Sequence, residues 1–234
     1  MKIMKKTMKK AMKKILTIDG PGGVGKGTVS RRVSQILGWD YLDSGAIYRV
    51  LGLVSKNEGI DSSDVPALAR IARQLPLTFE HSNDEAVEVY SGGHRVTDLI
   101  RTESAGDLAS KVSAHSEVRE ALLARQRDFA TDRGLVADGR DMGTVVFPEA
   151  PVKVYLMASV EVRAWRRFKQ LQQADQNVNF PSLLREIEAR DARDMNRSVA
   201  PLRPAEDAVL IDTSELSIEA VCEQVLSLVR KVFP

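Results

Sequence analysis

Short apolar, β-branched runs alternate along this chain with stretches whose apolar positions recur every three or four residues, and that alternation predicts an α/β fold. ILTIDG, from Ile15 to Gly20, has the look of a strand running into a glycine cluster, and Lys26 to Leu37 has amphipathic helical spacing. A second strand over Trp39 to Leu42 leads to a helix from Ala46 to about Lys56. Asp61-Ser62-Ser63 supplies cap chemistry for another helix, ending near Gln74. From Leu75 the period shifts to two: LPLTFEH, EAVEVYS and HRVTDLI alternate as strands do, divided by Ser-Asn-Asp and Gly-Gly turn signals. An inserted antiparallel patch is expected there. Helical spacing returns over Glu103 to Ser113 and Glu117 to Asp132, while LVAD (Leu135 to Asp138) and VKVYLMA (Val152 to Ala158) have the continuous apolar character of buried parallel strands. Helices over Val160 to Gln173 and Ser182 to Asn196, a strand VLIDT (Val209 to Thr213) and a helix from Ser217 to Val232 close the chain, with no internal repeat or long linker.

Composition narrows the class. A chain of 234 residues predicts one globular unit with an insertion. Cys222 is the only cysteine, which excludes an internal disulfide or a Cys-rich zinc site and fits a reducing compartment, so a cytoplasmic location is expected. Seven lysines and no acid occupy the first 14 residues, leaving 27 basic against 32 acidic residues in the remainder. That acidic body argues against a broad footprint for duplex nucleic acid, and 12 aromatics without a basic-aromatic stripe offer no platform for single strands. Met1, Met4, Met8, Met12 and Ile15 fall at helical spacing among those lysines, which fits either a weak surface anchor or, better, a disordered and dispensable extension over residues 1–14 with several possible start methionines. No run approaches the roughly 20 apolar residues of a membrane span, so no membrane partner is expected.

Candidate chemistry begins at Gly20-Pro21-Gly22-Gly23-Val24-Gly25-Lys26-Gly27-Thr28, which follows a strand and opens a helix, as a phosphate-binding GxxxxGK loop must. Glycines let backbone N–H groups converge on phosphate oxygens, the helix start adds favourable partial charge, and lysine reaches the outer phosphates. Gly27 stands where the common pattern has Ser or Thr, so the residue after Lys26 brings no hydroxyl to Mg²⁺. The same residues also spell GxGxxG through Gly20, Gly22 and Gly25, with Asp40 20 residues beyond Gly20, as in a dinucleotide site. Lys26 has no use in that reading and Pro21 sits awkwardly in it; a purely structural glycine turn is the third possibility. A phosphate loop leaves the task open. An NKxD motif, which a GTP switch would carry, is absent.

Two further segments bear on the task. LDSGAIYR (Leu42 to Arg49) crosses from strand end to helix start, where Ser44 and Arg49 can face the crevice above the sheet; the bland alternative is an Asp/Ser cap and a surface arginine. ADGRDMG (Ala137 to Gly143) ends a strand with Asp138 and Asp141 flanking Arg140, a set able to meet hydrated Mg²⁺, substrate and phosphate within one turn, or else a salt-bridged turn. Arg163, Arg166 and Arg167 share one helix face and Arg190, Arg193 and Arg197 another. Glu186, Glu188, Asp191 and Asp194 permit solvated pairs, yet the stripes exceed those acids, which predicts forks free for phosphates. His81, His94 and His115 are scattered, no nucleophile triad is evident, and no metal ligand set is assigned.

IDGPGGVGKGT, LDSGAIYR, ADGRDMGT and RDARDMNR together resemble the bacterial cytidylate kinases, a family of nucleoside-monophosphate kinases, over Ile15 to Phe233. The resemblance implies a P-loop kinase domain over 15–234, a parallel sheet flanked by helices with a small antiparallel insert (about 60–100) and an arginine-rich lid (about 163–197). It implies a monomer that uses ATP with Mg²⁺ to phosphorylate CMP or dCMP. By the same resemblance, Gly20 to Thr28 hold ATP, and Lys26, Asp138, Arg140 and Arg190 form the catalytic set. Tyr48, Arg49, Arg140 and Arg197 would hold the acceptor phosphate, Arg190 and Asp194 would reach ribose and phosphate, and Ser44, Ser110, Arg119 and Asp141 would surround the base. Gly23 replaces a serine frequent in the family loop. Cytosine offers an amino donor beside two acceptors, which suits a carboxylate and a guanidinium, whereas uracil sets a carbonyl against the carboxylate. The alternatives are a kinase for UMP or AMP, and a nucleotide-dependent regulatory module.

Overall fold

A computed structural model describes residues 12–81, 87–173 and 178–234. In chain order, β1 (Ile15–Asp19) is followed by α1 (Lys26–Leu37), β2 (Asp40–Asp43), α2 (Ser44–Asn57) and α3 (Val65–Arg73). Strands β3 (Leu77–His81), β4 (Val87–Ser91) and β5 (His94–Arg95) lead to helices α4 (Thr97–Ile100), α5 (Glu103–Val112) and α6 (Ser116–Arg127). Then come β6 (Leu135–Gly139), a π-helical turn (Met142–Val146), β7 (Val152–Met157), α7 (Val160–Gln173), α8 (Phe180–Asn196), β8 (Val209–Asp212) and α9 (Ile218–Val232).

Five parallel strands in the order β2-β6-β1-β7-β8 form the central sheet, and β3-β4-β5 form a separate antiparallel one. Strand β1 lies at the middle, buried along its whole length, with Leu16 opposite Val136 on one side and Val152 on the other. Its continuous apolar run follows from that position, since both faces are covered by helices. One face packs Leu42, Ile47, Leu51, Leu122 and Met142 into a core, and the other packs Ile18, Val29, Val33, Val221 and Val225. Because β6 and β7 flank β1 on opposite sides, the chain leaves β1 at a switch point. The carboxyl ends of β1, β2, β6 and β7 therefore open onto one crevice, where ligands bind in such sheets.

The structure departs from the sequence expectations where a tertiary contact overrides local pattern. The second strand is shifted by one residue, because the Trp39 amide closes the end of α1 on Ser34 O at 2.9 Å while its ring packs edge-on against Phe233 at 5.5 Å. Helix α2 starts two residues early, since the Asp43 side chain accepts from the Ala46 amide at 2.9 Å. Asp64, and not Asp61-Ser62-Ser63, caps α3; Asp61 closes a local turn on Ser63 instead. HRVTDLI pairs only through His94 and Arg95 before turning into α4, as the Thr97 hydroxyl takes the Val89 amide at 2.9 Å. The expected Ser-Asn-Asp turn and the helical reading of residues 1–11 lie outside the described residues.

Candidate active site

The loop after β1 turns back on itself through glycines that other residues cannot replace cheaply. Gly20 has φ +147°, and a Cβ there would stand 2.2 Å from the Leu156 carbonyl oxygen of β7. Gly25 caps α1 in the left-handed region with no side-chain cap, which leaves the first-turn amides of α1 available to an anion. The loop's carbonyls are held from behind: Lys26 Nζ donates to Pro21 O at 2.7 Å, Arg163 to Gly22 O at 3.1 Å, and the Thr213 hydroxyl to Val24 O at 3.1 Å. A peptide plane sets its carbonyl opposite the next amide, so the Arg163 and Thr213 bonds turn the Gly23 and Gly25 N–H groups away from those two side chains. Val24 is buried, and Thr28 is exposed at the head of α1.

Lys26 is buried, and burial followed by the nearby Arg140 guanidinium lowers its ammonium pKa well below the ordinary value. Asp138, at the end of β6, is raised by burial against the pull of Lys26. Its Oδ2 lies 3.5 Å from where a Cβ on Gly27 would stand and accepts from the Tyr41 hydroxyl at 3.4 Å. This carboxylate lies against the phosphate loop, and Asp19, just before Gly20, also acts on Lys26.

On the facing side, α2, α5, α6 and α8 contribute a polar wall. Ser44 donates to Gln126 Oε1 at 2.8 Å, and both are buried. The Arg119 guanidinium lies 5.4 Å above the Tyr48 ring, pairs with Asp141 and donates to Ser113 O at 3.1 Å. Asp194 accepts from Ser110 at 3.1 Å and from Arg140 Nε at 3.1 Å. Arg197 spans to Ala200 O at 2.9 Å, yet its Nη2 is buried without a hydrogen bond, as is Arg190 Nε. Arg49 donates to Ile100 O at 2.7 Å.

Arg140 and Arg190 converge over the loop: a Cβ on Gly22 would stand 3.6 Å from Arg140 Nη2 and 4.0 Å from Arg190 Nη1. Burial, then Arg140 and Arg49, pull the Arg190 pKa down to about 10. Burial lowers Arg49 as well, with Arg140 and Arg167 adding to the effect. Asp194, held low against its own burial by Arg140, Arg190 and Arg197, is a counter-charge shared among them. Arg190 and Arg49, lowered by burial and by the Arg140 charge beside them, favour an anion, and they adjoin the phosphate loop.

The structure brings Arg140 and Arg190 to the edge of the loop and links Arg140, Asp194 and Ser110, and Arg119, Asp141 and Tyr48, in two adjoining sets; two expectations need correction. Asp138 and Asp141 do not act together within one turn: Asp138 faces the phosphate loop, whereas Asp141 is buried against Arg119. The arginine stripes are mostly engaged by protein. Arg163 pairs with Asp191 at 2.5 Å, Arg166 holds Thr213, Arg167 pairs with Glu103 and Arg193 with Asp107 at 2.6 Å. Glu103 and Asp107 lie on α5, so acids from another element neutralise forks that the helix sequence alone leaves open. His115 bonds the Ser62 carbonyl at 2.7 Å and has no part in the crevice. Asp19 escaped the sequence reading: its two oxygens take the Met142 and Gly143 amides, each at 2.8 Å, and fix the π-helical turn. Gln126 behind Ser44 escaped it too. The carboxylate ending the buried run ILTID was the available signal for Asp19.

A family model described as "Cytidylate kinase" matches residues 16–231. Over 213 residues the chain is 51% identical to a cytidylate kinase of Marinomonas sp. (strain MWYL1), covering 91% of this chain and 94% of that one. It is 52% identical over 217 residues to a cytidylate kinase of Klebsiella pneumoniae (strain 342), covering 93% and 95%. A solved structure of an uncharacterized protein from Eubacterium ventriosum ATCC 27560 aligns with a TM-score of 0.50 at 8% identity, over 93% of this chain and 98% of that one, a likeness of fold alone.

Proposed function

Since the chain belongs to the cytidylate kinase family, we propose that it transfers the terminal phosphoryl group of ATP to the phosphate of CMP or dCMP, releasing ADP and CDP or dCDP. The observation that carries this reading is the convergence of Arg140 and Arg190 on the edge of the phosphate loop, with Arg49 and Lys26 close by. One polyanion on the amides of residues 20–28 and a second on those forks would meet end to end.

In this reading Lys26 exchanges the Pro21 carbonyl for the migrating phosphoryl group, whose charge is spread over its oxygens in a loose transition state. Arg190 and Arg140 stabilise that charge from the acceptor side. Arg49, Arg197 and the Tyr48 hydroxyl seat the acceptor phosphate, with Asp194 holding Arg140 in place and reaching the ribose. Asp141, Arg119, Ser110 and Ser44 form the base pocket. Asp138 would hold the Mg²⁺ that accompanies ATP, and that ion would supply neutralisation of phosphate charge; one carboxylate plus substrate phosphates suits it. Helices α7 and α8 belong to a lid over about 163–197 that excludes water, and the region about 60–100 forms the acceptor insert. Residues 1–14 take no part. The lone Cys222 supports work in the cytoplasm, and the acidic balance after residue 14 speaks against a nucleic-acid partner; the monomer rests on the family resemblance. Among the described residues no helix is long and apolar enough to cross a membrane.

A coupled assay of ADP release with ATP and each of CMP, dCMP, UMP and AMP tests the reading. The expected result is acceptor-dependent release, with kcat/KM for CMP or dCMP at least about tenfold above UMP and AMP, because the wrong base leaves a buried polar group unpaired. Faster turnover of UMP or AMP would reassign the acceptor. Release that ignores every acceptor would make the protein a nucleotide-hydrolysing regulatory module.

A further inference from the structure

Helix α5 carries a glycine, Gly106, buried within its first turns. Glycine is among the poorest residues in a helix interior, and alanine would fit the backbone better. Space explains its presence. A Cβ at this position would stand 2.8 Å from Arg190 Nη1 and 3.5 Å from Arg49 Nη2.

Helix α5 has no room to retreat from such a contact. Leu108 presses on α2 so closely that a Cβ on Gly52 would meet its Cγ at 2.9 Å. Ala109 and Val112 are buried in the core, while Glu103 and Asp107 are tied to Arg167 and Arg193 on the lid helices. The movable party is the end of the Arg190 side chain, whose Nε is buried without a hydrogen bond to hold it.

We propose that Gly106 is a positioning residue, whose missing side chain forms the notch that seats the Arg190 fork between α5 and the phosphate loop, beside Arg49. This rests on the reading that Arg190 grips phosphate during transfer. A methyl group in the notch would displace the guanidinium and leave the helix intact. Small displacements of a charge-stabilising group are costly to transfer because that stabilisation depends on preset geometry.

The test compares wild type, Gly106→Ala, Arg190→Ala and the double variant for kcat/KM with CMP at saturating ATP, together with their thermal unfolding midpoints. Gly106→Ala is expected to lower kcat/KM about tenfold or more, with an unfolding midpoint at or above that of wild type. Since both changes act through one guanidinium, the double variant should be no slower than Arg190→Ala alone. Unchanged kcat/KM in Gly106→Ala, losses that multiply in the double variant, or a lowered midpoint would each overturn the proposal, the last by showing a packing role. A wild-type-like Arg190→Ala enzyme would instead remove the role given to Arg190 and the inference with it. Wild-type protein that does not use CMP would remove the kinase reading itself.

Discussion

Two buried charges at the ends of β1 and α1 set the terms of the site, and they differ in how far the sequence exposes them. Lys26 is legible because its partners are neighbours in the chain: glycines on both sides, a strand before and a helix after. Lys26→Ala removes the ammonium and its bond to Pro21 O but leaves the Arg163 and Thr213 contacts that hold the loop, so kcat should fall by about a hundredfold or more while the unfolding midpoint stays near wild type; turnover close to wild type would remove Lys26 from the mechanism. Asp19 is illegible because the amides it holds lie more than 120 residues away. Burial pushes its carboxyl up to about 7, against the two amide bonds that favour the charged form. A carboxyl raised in the fold binds its proton more tightly there than in the unfolded chain, so its contribution to stability is complete below about pH 4 and fades as pH rises through about 7. Asp19→Asn leaves a buried amide without an acceptor and should cost about 1–3 kcal/mol. That cost should shrink between pH 4 and 7, as measured by urea unfolding of both proteins across that range; a cost that grows with pH contradicts the assignment.

Elements meet more closely here than their sequences announce. The β1–β7 contact leaves no space at Gly20, where the obstruction is the Leu156 carbonyl, a backbone atom with no rotamer to escape into. Gly20→Ala should therefore destabilise by about 3 kcal/mol or more, through clash and strain together. Gly38 offers the contrast, with φ +64° and nothing within 4 Å of an added Cβ; alanine there meets only backbone strain of about 1–2 kcal/mol. Equilibrium unfolding of the two variants separates these cases, and equal losses would contradict the close approach at β7. Most helices and parallel strands were legible from apolar period, because each buries one stripe or a continuous run. Helix α4 and the π-helical turn were not, since the Thr97 hydroxyl and the Asp19 carboxylate impose them from outside the local pattern. The same reason explains the arginine stripes. Their partners Glu103 and Asp107 belong to α5, so the helix sequences suggested free forks where the structure ties α7 and α8 to α5.

Across the whole molecule, the parallel order β2-β6-β1-β7-β8 gathers the phosphate loop, Asp43, Asp138 and Arg140 at one edge, and α5 and α8 bring the remaining arginines to face them. The fold class and the list of crevice residues were legible because the motifs fall at strand ends in chain order. Which arginines stay open toward ligand was not, because that depends on how helices distant in sequence pair. The triphosphate of one ligand and the single phosphate of the other should meet between the amides of residues 20–28 and the forks of Arg49, Arg140 and Arg190. A crystal structure of the protein with ADP and CMP tests it most directly. The diphosphate is expected on the Gly22 to Lys26 amides, the CMP phosphate within hydrogen-bond reach of those three guanidinium groups, and cytosine against Arg119 and Asp141. CMP seated elsewhere, with its phosphate out of reach of Arg140 and Arg190, would contradict it.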